Sequence, residues 1–450
     1  GGGRASLSLL YADAGRIAVD ASYSGSGAEG NAGLSLTGSV SAVVAPQDFE
    51  WTDLPAGAQR AGMPFGALLR ARNAAGAVTP NFGLEGETVQ LSHQRRSPTG
   101  AGAVDGSLST GASTLSAGTF RYAELRWSEV GRIDLSASLV GGSYLGSGMN
   151  VLGNTGVAGA IGPFRPHHLR VGATEACGGY SYAGQPFGVT VSARNASEAV
   201  TLNYFSGGGH ARDLSFTDAG APALGLGSIS PAALPASAFS AGEASTQLAY
   251  VFTSKASGPG SLLLRATDSD GVSSSAQAGA DDSMSLRSGR LVLQSALGSA
   301  QRNLSLPMRL EHWRNGAWVV TSDDTCTVPS GAWHSGVAQS GRVGAGGAPA
   351  GWSSPVQSIS LSAGVGSVVL AAPNASGAVD LALNLGSSAS DRACLAGPRP
   401  TTTGLGLPWL RSRQGSVHGC GTREDSDPSG RASFGAPAGQ ANKVHERVID

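Results

Sequence analysis

The chain has 450 residues and a net charge of −1, and 14% of its residues are charged, against roughly 25% in ordinary soluble domains. That balance excludes a nucleic-acid role built on broad basic patches, and it does not fit ordinary disorder, which pairs low hydrophobicity with high net charge. No run of about 18 apolar residues occurs, so the sequence offers no membrane helix, and the 68 glycines point to many turns between short strands.

Residues 1–38 read as the end of a module whose beginning is missing. Ile17, Val19 and Ala21 alternate with Ala18, Asp20 and Ser22, the period-two mark of a half-buried strand. A complete module follows over 39–158. It opens near Pro46, where a fixed φ and a missing donor suit a domain junction. Its leading phrase is Ala61-Gly62-Met63-Pro64-Phe65-Gly66, then Ala71-Arg72-Asn73-Ala74 and Ala77-Val78-Thr79-Pro80-Asn81-Phe82.

The next module, 159–285, repeats these words: Ala183-Gly184-Gln185-Pro186-Phe187-Gly188, then Ala193-Arg194-Asn195-Ala196 and Ala199-Val200-Thr201-Leu202-Asn203-Tyr204, at an offset of 183 − 61 = 122. Ser116-Ala117-Gly118 recurs as Ser240-Ala241-Gly242, and Tyr11-Ala12-Asp13-Ala14-Gly15 as Trp127-Ser128-Glu129-Val130-Gly131. In the latter phrase an aromatic and a turn precede a strand, and Gly15 and Gly131 supply the bend that a side chain would hinder. A looser copy runs from Phe252 to Ala266. A period near 120 is too long for a solenoid of about 20–50 residues. It is the size of a domain, and about seven short alternating strands with Gly-rich turns describe an immunoglobulin-like β-sandwich. The expected fold is all-β, with tandem sandwiches in which Pro64, Phe65 and Asn73 match Pro186, Phe187 and Asn195.

From about Leu286 the 120-residue phrases stop, and 286–450 reads as a distinct C-terminal β domain. It holds three of the four cysteines and five of the seven tryptophans. Leu304, Leu306, Met308 and Leu310 alternate with polar positions, one of them Pro307. Proline cannot donate to a ladder, so this strand is expected at a sheet edge or at a bulge.

The phrases Gly289-Arg290-Leu291-Val292-Leu293, Leu306-Pro307-Met308-Arg309-Leu310-Glu311-His312-Trp313, Asp323-Asp324-Thr325-Cys326, Asp391-Arg392-Ala393-Cys394, Leu407-Pro408-Trp409-Leu410 and Asp427-Pro428-Ser429-Gly430-Arg431, in this order, resemble the C-terminal region of MshQ-like proteins, an MSHA-type pilus biogenesis family carrying DUF6701. Tyr182 to Phe187 and Ser128 to Gly131 look like that family as well. The tail after Leu410 departs from the pattern. The resemblance implies an extracytoplasmic bacterial protein linked to type IV pili, with pilus-assembly or cell-envelope proteins as partners and no catalytic residues. A cell-surface location is oxidising and favours cysteine pairing, and a disulfide between Cys326 and Cys394 is expected, each following a strand-like run.

Other chemistry is thinly supported. Asp281-Asp282, Asp323-Asp324, Asp268-Ser269-Asp270-Gly271 and Glu424-Asp425-Ser426-Asp427 lack the spaced oxygens and closing bidentate carboxylate of a calcium loop, so solvated turns are the first reading. His418 and Cys420 lack zinc-type partners nearby. No Gly-x-Ser-x-Gly elbow is present, and Ser206-Gly207-Gly208-Gly209 precedes no helix that would make it a phosphate cradle. His93-Gln94-Arg95-Arg96, the densest basic stretch, reads as a strand end, and His167-His168 as a hinge contact. No cofactor or metal is expected. The alternative to a non-enzymatic stalk is an array of carbohydrate-binding modules, attached to an enzyme or free, for which Trp313, Trp333 and Trp352 would form an exposed line facing surface glycans.

Overall fold

The computed structural model describes residues 6–327, 337–340, 351–388, 392–393, 404–411 and 426–435. A two-stranded hairpin, β1 (Gly15–Ser24) and β2 (Ser35–Val44), comes first. Three sandwiches follow, each around its own apolar cluster.

The first sandwich is built from β3 (Asp48–Thr52), β4 (Gln59–Arg60), β5 (Phe65–Arg72), β6 (Val89–Ser97), β7 (Leu108–Ser109), β8 (Ser113–Ser116), β9 (Thr119–Trp127), β10 (Gly131–Leu139), β11 (Leu152–Asn154) and β12 (Ile161–Arg165). One sheet runs β3-β5-β9-β7 with β8 on β9; the other runs β11-β10-β12-β4 with β6 on β10. In the second sandwich, β13 (His168–Thr174), β15 (Phe187–Arg194), β19 (Glu243–Phe252) and β17 (Gly227–Ser230) face β14 (Ser181–Tyr182), β21 (Asp282–Arg287), β20 (Gly260–Asp268), β16 (Leu214–Asp218) and β18 (Ala233–Leu234), each set given in sheet order.

The third sandwich sets β22 (Gly289–Leu293), β24 (Leu304–Arg314), β28 (Val365–Leu370) and β27 (Val356–Ser362), with β25 (Ala317–Val320) on β24, against β23 (Ala296–Gly298), β30 (Ser429–Phe434), β29 (Gly377–Leu383) and β26 (Val337–Ser340). In all three, the chain enters on one sheet and then crosses to pair in parallel with the last strand of the other: β4 with β12, β14 with β21, β23 with β30. All other ladders are antiparallel. The architecture is all-β and immunoglobulin-like.

The cause is visible in the strands. Along β5 buried and more exposed residues alternate from Phe65 onward, as one buried face per strand requires. Phe65 packs on Phe164, with ring centres 5.6 Å apart, and Phe187 starts the equivalent strand β15 equally buried. Pro64 and Pro186 stand exposed just ahead of them. Gly131 has φ +136°, and a Cβ there would collide with the Ser97 carbonyl, so only glycine fits where β10 crosses β6.

The C-terminal domain shares features with its neighbours, and one expectation about it needs correction. Its strand order is the same as that of its neighbours, and one phrase does persist: Ser362-Ala363-Gly364 lies 364 − 242 = 122 residues after Ser240-Ala241-Gly242. Ala117, Ala241 and Ala363 all adopt left-handed φ, at 45°, 46° and 49°, each followed by a positive-φ glycine. The correction concerns Pro307, which sits in β24, a central strand paired with β28 across the proline without a register shift. Its carbonyl accepts from Gln294 N at 2.9 Å, just past the end of β22. In an antiparallel strand, N and O of one residue point the same way, so the missing donor faces the side where the β22 ladder has ended.

Candidate functional site

The repeated words build the junctions between modules. At the first junction, Asn73 Oδ1 accepts from Ala75 N and Ala77 N, both at 3.0 Å, and its Nδ2 donates to Ala12 O at 2.7 Å. At the second, Asn195 Oδ1 accepts from Ser197 N and Ala199 N at 2.9 and 3.1 Å, and its Nδ2 donates to Ser128 O at 3.0 Å. Each Asn shapes its own turn with one oxygen, which suits the Asx geometry, and spends its amide on the preceding module.

The acid of the aromatic–x–acid–x–Gly phrase closes the same contact from the other side. Asp13 Oδ1 accepts Asn81 N at 3.1 Å. Glu129, one methylene longer, accepts Leu202 N at 3.0 Å and Asn203 N at 3.1 Å. Asn203 in turn exchanges two bonds with the backbone of Val104, at 2.8 and 2.9 Å. Ala196 N bonds Ala61 O at 3.0 Å. Burial pushes the Glu129 carboxyl above the usual range, while the N–H groups of Asn203, Leu202 and Val130 pull it back in part. Asp323 takes the place of Asn203 in the third sandwich, where it pairs with Arg287 at 2.8 Å.

The third junction is covalent. Cys177, in the loop before β14, is bonded to Cys326, with Cα atoms 4.9 Å apart and a sequence separation of 149. The expected Cys326–Cys394 pair is therefore corrected. Cys326 follows the β24–β25 hairpin, which faces the preceding module, and this places it beside Cys177. Cys394 lies outside the described residues. Beside the bond, Tyr180 and Tyr182 both donate to Asp324 Oδ2, at 3.2 and 2.8 Å. Burial pushes both phenols up, with Asp324 adding to the effect, so they remain protonated donors. Atoms of Cys177, Asp324 and Cys326 lie within 4.8 Å of one another. Sulfurs joined in a disulfide offer no thiolate, which a metal would need.

Other sequence candidates are structural. Asp281 is bound by Arg265 at 2.7 Å, Asp282 caps Ala173 N at 2.8 Å, and buried Asp268 accepts from Tyr204 OH at 2.9 Å. Asp270 pairs with Arg212 and Arg165, at 2.9 and 3.2 Å. These acids are packed anchors where solvated turns were expected. Arg95 and Arg96 are paired with Asp105 and Asp134, and His168 is fully buried. Trp352 packs on Phe434 and donates to Ala375 O at 2.9 Å, half-buried against the edge of the third core. Trp313 stacks edge-on with Trp318 at 5.4 Å. Trp333, His418, Cys420, Glu424 and Asp425 lie outside the described residues.

No curated protein sequence matches the chain. Among solved structures, the adhesin InvE of Yersinia pseudotuberculosis aligns at 17% identity over 53% of this chain and 60% of its own, with a TM-score of 0.24. The titin fragment I67–I69 aligns at 9% identity over 86% and 99%, TM-score 0.23, and the ICAM-5 D1–D4 fragment at 9% over 75% and 73%, TM-score 0.28. The chain thus spans less than two thirds of InvE. At these scores the fold assignment rests on the strand order described above. Two family models match the sequence, DUF6701's third domain over residues 129–288 and its fourth over 287–448, and the chain therefore carries the third and fourth domains of DUF6701.

Proposed function

We propose that this chain is a non-enzymatic stalk on the bacterial cell surface, which supports MSHA-type pilus biogenesis or carries an adhesive end away from the envelope. One observation carries the reading: two successive junctions are closed by equivalent positions, Asp13 with Asn73 and Asn81, then Glu129 with Asn195 and Asn203. A module that carries an acidic turn at one end and its Asn-lined receptor at the other can be added end to end. Directed, charge-assisted contacts of this kind resist bending better than a bare linker does. The disulfide fits an oxidising location, and the resemblance to MshQ-like proteins supplies the link to pili and to envelope partners. Among the described residues, the acids of the aspartate clusters are held by a cation or by backbone donors, which supports a non-enzymatic role.

The test is deletion of the gene in its own bacterium, followed by complementation with the wild type and with Glu129→Ala/Asn195→Ala. Fewer pili or weaker surface attachment on deletion, with poor rescue by the double variant, is the expected result. Unchanged piliation and attachment, or release of sugars from polysaccharide by purified protein, would overturn the reading.

A further inference from the structure

On β24 the inward-facing positions Leu304, Leu306, Met308 and Leu310 fill the third core. The same face continues past that core to His312 and Arg314, so its last two positions carry polar side chains, one of them a guanidinium, and project into the junction. There they meet the outer face of the preceding module's second sheet, where Ser261 pairs across from Ser285 and Arg287 follows on the same side of β21. Together with Pro259 and Gly260 these residues line an open groove of about 420 Å³, a size and a domain-interface position typical of ligand sites. Two carboxylates stand beside it: Glu175 accepts from Ser285 N at 2.9 Å, and Asp323 is taken up by Arg287. Arg287 is fixed by Asp323 at 2.8 Å and lies 3.8 Å from the centre of the Tyr180 ring. Arg314 is exposed, and its guanidinium makes no ion pair or hydrogen bond among the described residues.

We propose that this groove binds a carboxylate-bearing sugar of an acidic polysaccharide. Guanidinium groups recognise carboxylates through directed, charge-assisted hydrogen bonds, and the Ser261 and Ser285 hydroxyls match the adjoining sugar hydroxyls. The groove is open and presents two guanidinium groups beside two serine hydroxyls, which suits one or two sugar units of an extended chain. The net charge of −1 argues against nucleic acid, which takes a broad basic surface. The proposal extends the adhesive form of the stalk reading, but binding by purified protein succeeds or fails whatever the protein does in the cell.

The experiment measures binding of polygalacturonate and neutral dextran to the purified full chain at low and at physiological salt. Polygalacturonate should bind, more weakly as salt rises, and dextran should not. Arg314→Glu should lower polygalacturonate binding about tenfold or more, the scale of a lost charged hydrogen bond plus repulsion. Arg309→Glu, exposed on the opposite face of the same strand, should leave it unchanged. Equal losses for the two reversals would mean general charge attraction and overturn the site, as would dextran binding equally well or an absence of polygalacturonate binding. Free sulfate binding at Arg314 with no binding of the polymer would overturn the sugar assignment too.

Discussion

Asn203 donates its backbone N–H to Glu129 across 3.1 Å, and in doing so it joins two modules. Both residues are buried, so removing the carboxylate leaves the Asn203 N–H without a partner and out of reach of water. The cost of such an orphaned group is about 1–3 kcal/mol. Glu129→Ala should therefore lower the unfolding temperature of the second sandwich. It should also broaden the distance distribution in small-angle X-ray scattering as the junction loosens. A variant as stable and as rigid as wild type would show that the clamp does not hold the modules together.

The Cys177–Cys326 bond encloses a separation of 149 residues. In the chain-entropy model a loop of that length corresponds to roughly 5 kcal/mol of stabilisation. Peptide mapping of unreduced protein should recover the segment around Cys177 linked to that around Cys326. Mild reduction, or Cys177→Ser, should lower the melting temperature of the last two modules and leave the first sandwich unaffected. Finding Cys326 linked to any other cysteine would sink the assignment.

Much of the fold was legible because alternation is local: the run from Leu304 to Leu310 shows its inward face in the sequence alone. Repeat words such as Ala-Arg-Asn-Ala were equally plain, yet their purpose was hidden. Asn195 and Ser128 are 67 residues apart, and only the docking of one module on the next brings them to 3.0 Å. The same reason defeated the disulfide. Proximity within a domain suggested Cys394, whereas the true partner sits in the neighbouring module. The Ser362-Ala363-Gly364 turn was the one available sign that the last domain repeats the others. It is easily passed over because three small residues carry little information in a chain this rich in Ser, Ala and Gly. Pro307 misled because a rule about edges was applied to a whole strand, when only the side its nitrogen faces matters.

Three histidines should give the protein an acid-sensitive stability. Burial holds His168, His210 and His312 below the ordinary imidazole range, with nearby arginines adding to the effect and Glu198 opposing it at His168. The folded form therefore binds protons less readily than the unfolded chain, whose imidazoles titrate near about 6.5. The contribution is fully present above that value and is lost as pH falls through the lower folded values. Glu129 and Asp268 are shifted up by burial and act in the opposite sense, so the comparison must be between variants. Melting temperatures from pH 8 to pH 5 should fall less steeply for His168→Gln than for wild type. Parallel curves would rule out His168 as a contributor.

The last expectation concerns the turn shared by all three sandwiches. Ala241 has φ +46° and is exposed, in a region where an L side chain costs about 1–2 kcal/mol and glycine or asparagine fits more readily. Gly242, beside it, is buried, and a Cβ there would lie 2.5 Å from the Thr201 carbonyl oxygen. The two positions should thus respond in opposite directions. Ala241→Gly should stabilise the second sandwich by up to about 1 kcal/mol, the relief of strain outweighing the entropy that glycine adds to the unfolded chain. Gly242→Ala should destabilise it by more than that, because the backbone would have to move. Chemical denaturation of the purified chain reads both, and a loss of stability in Ala241→Gly would mean that the left-handed turn is not the conformation this position adopts.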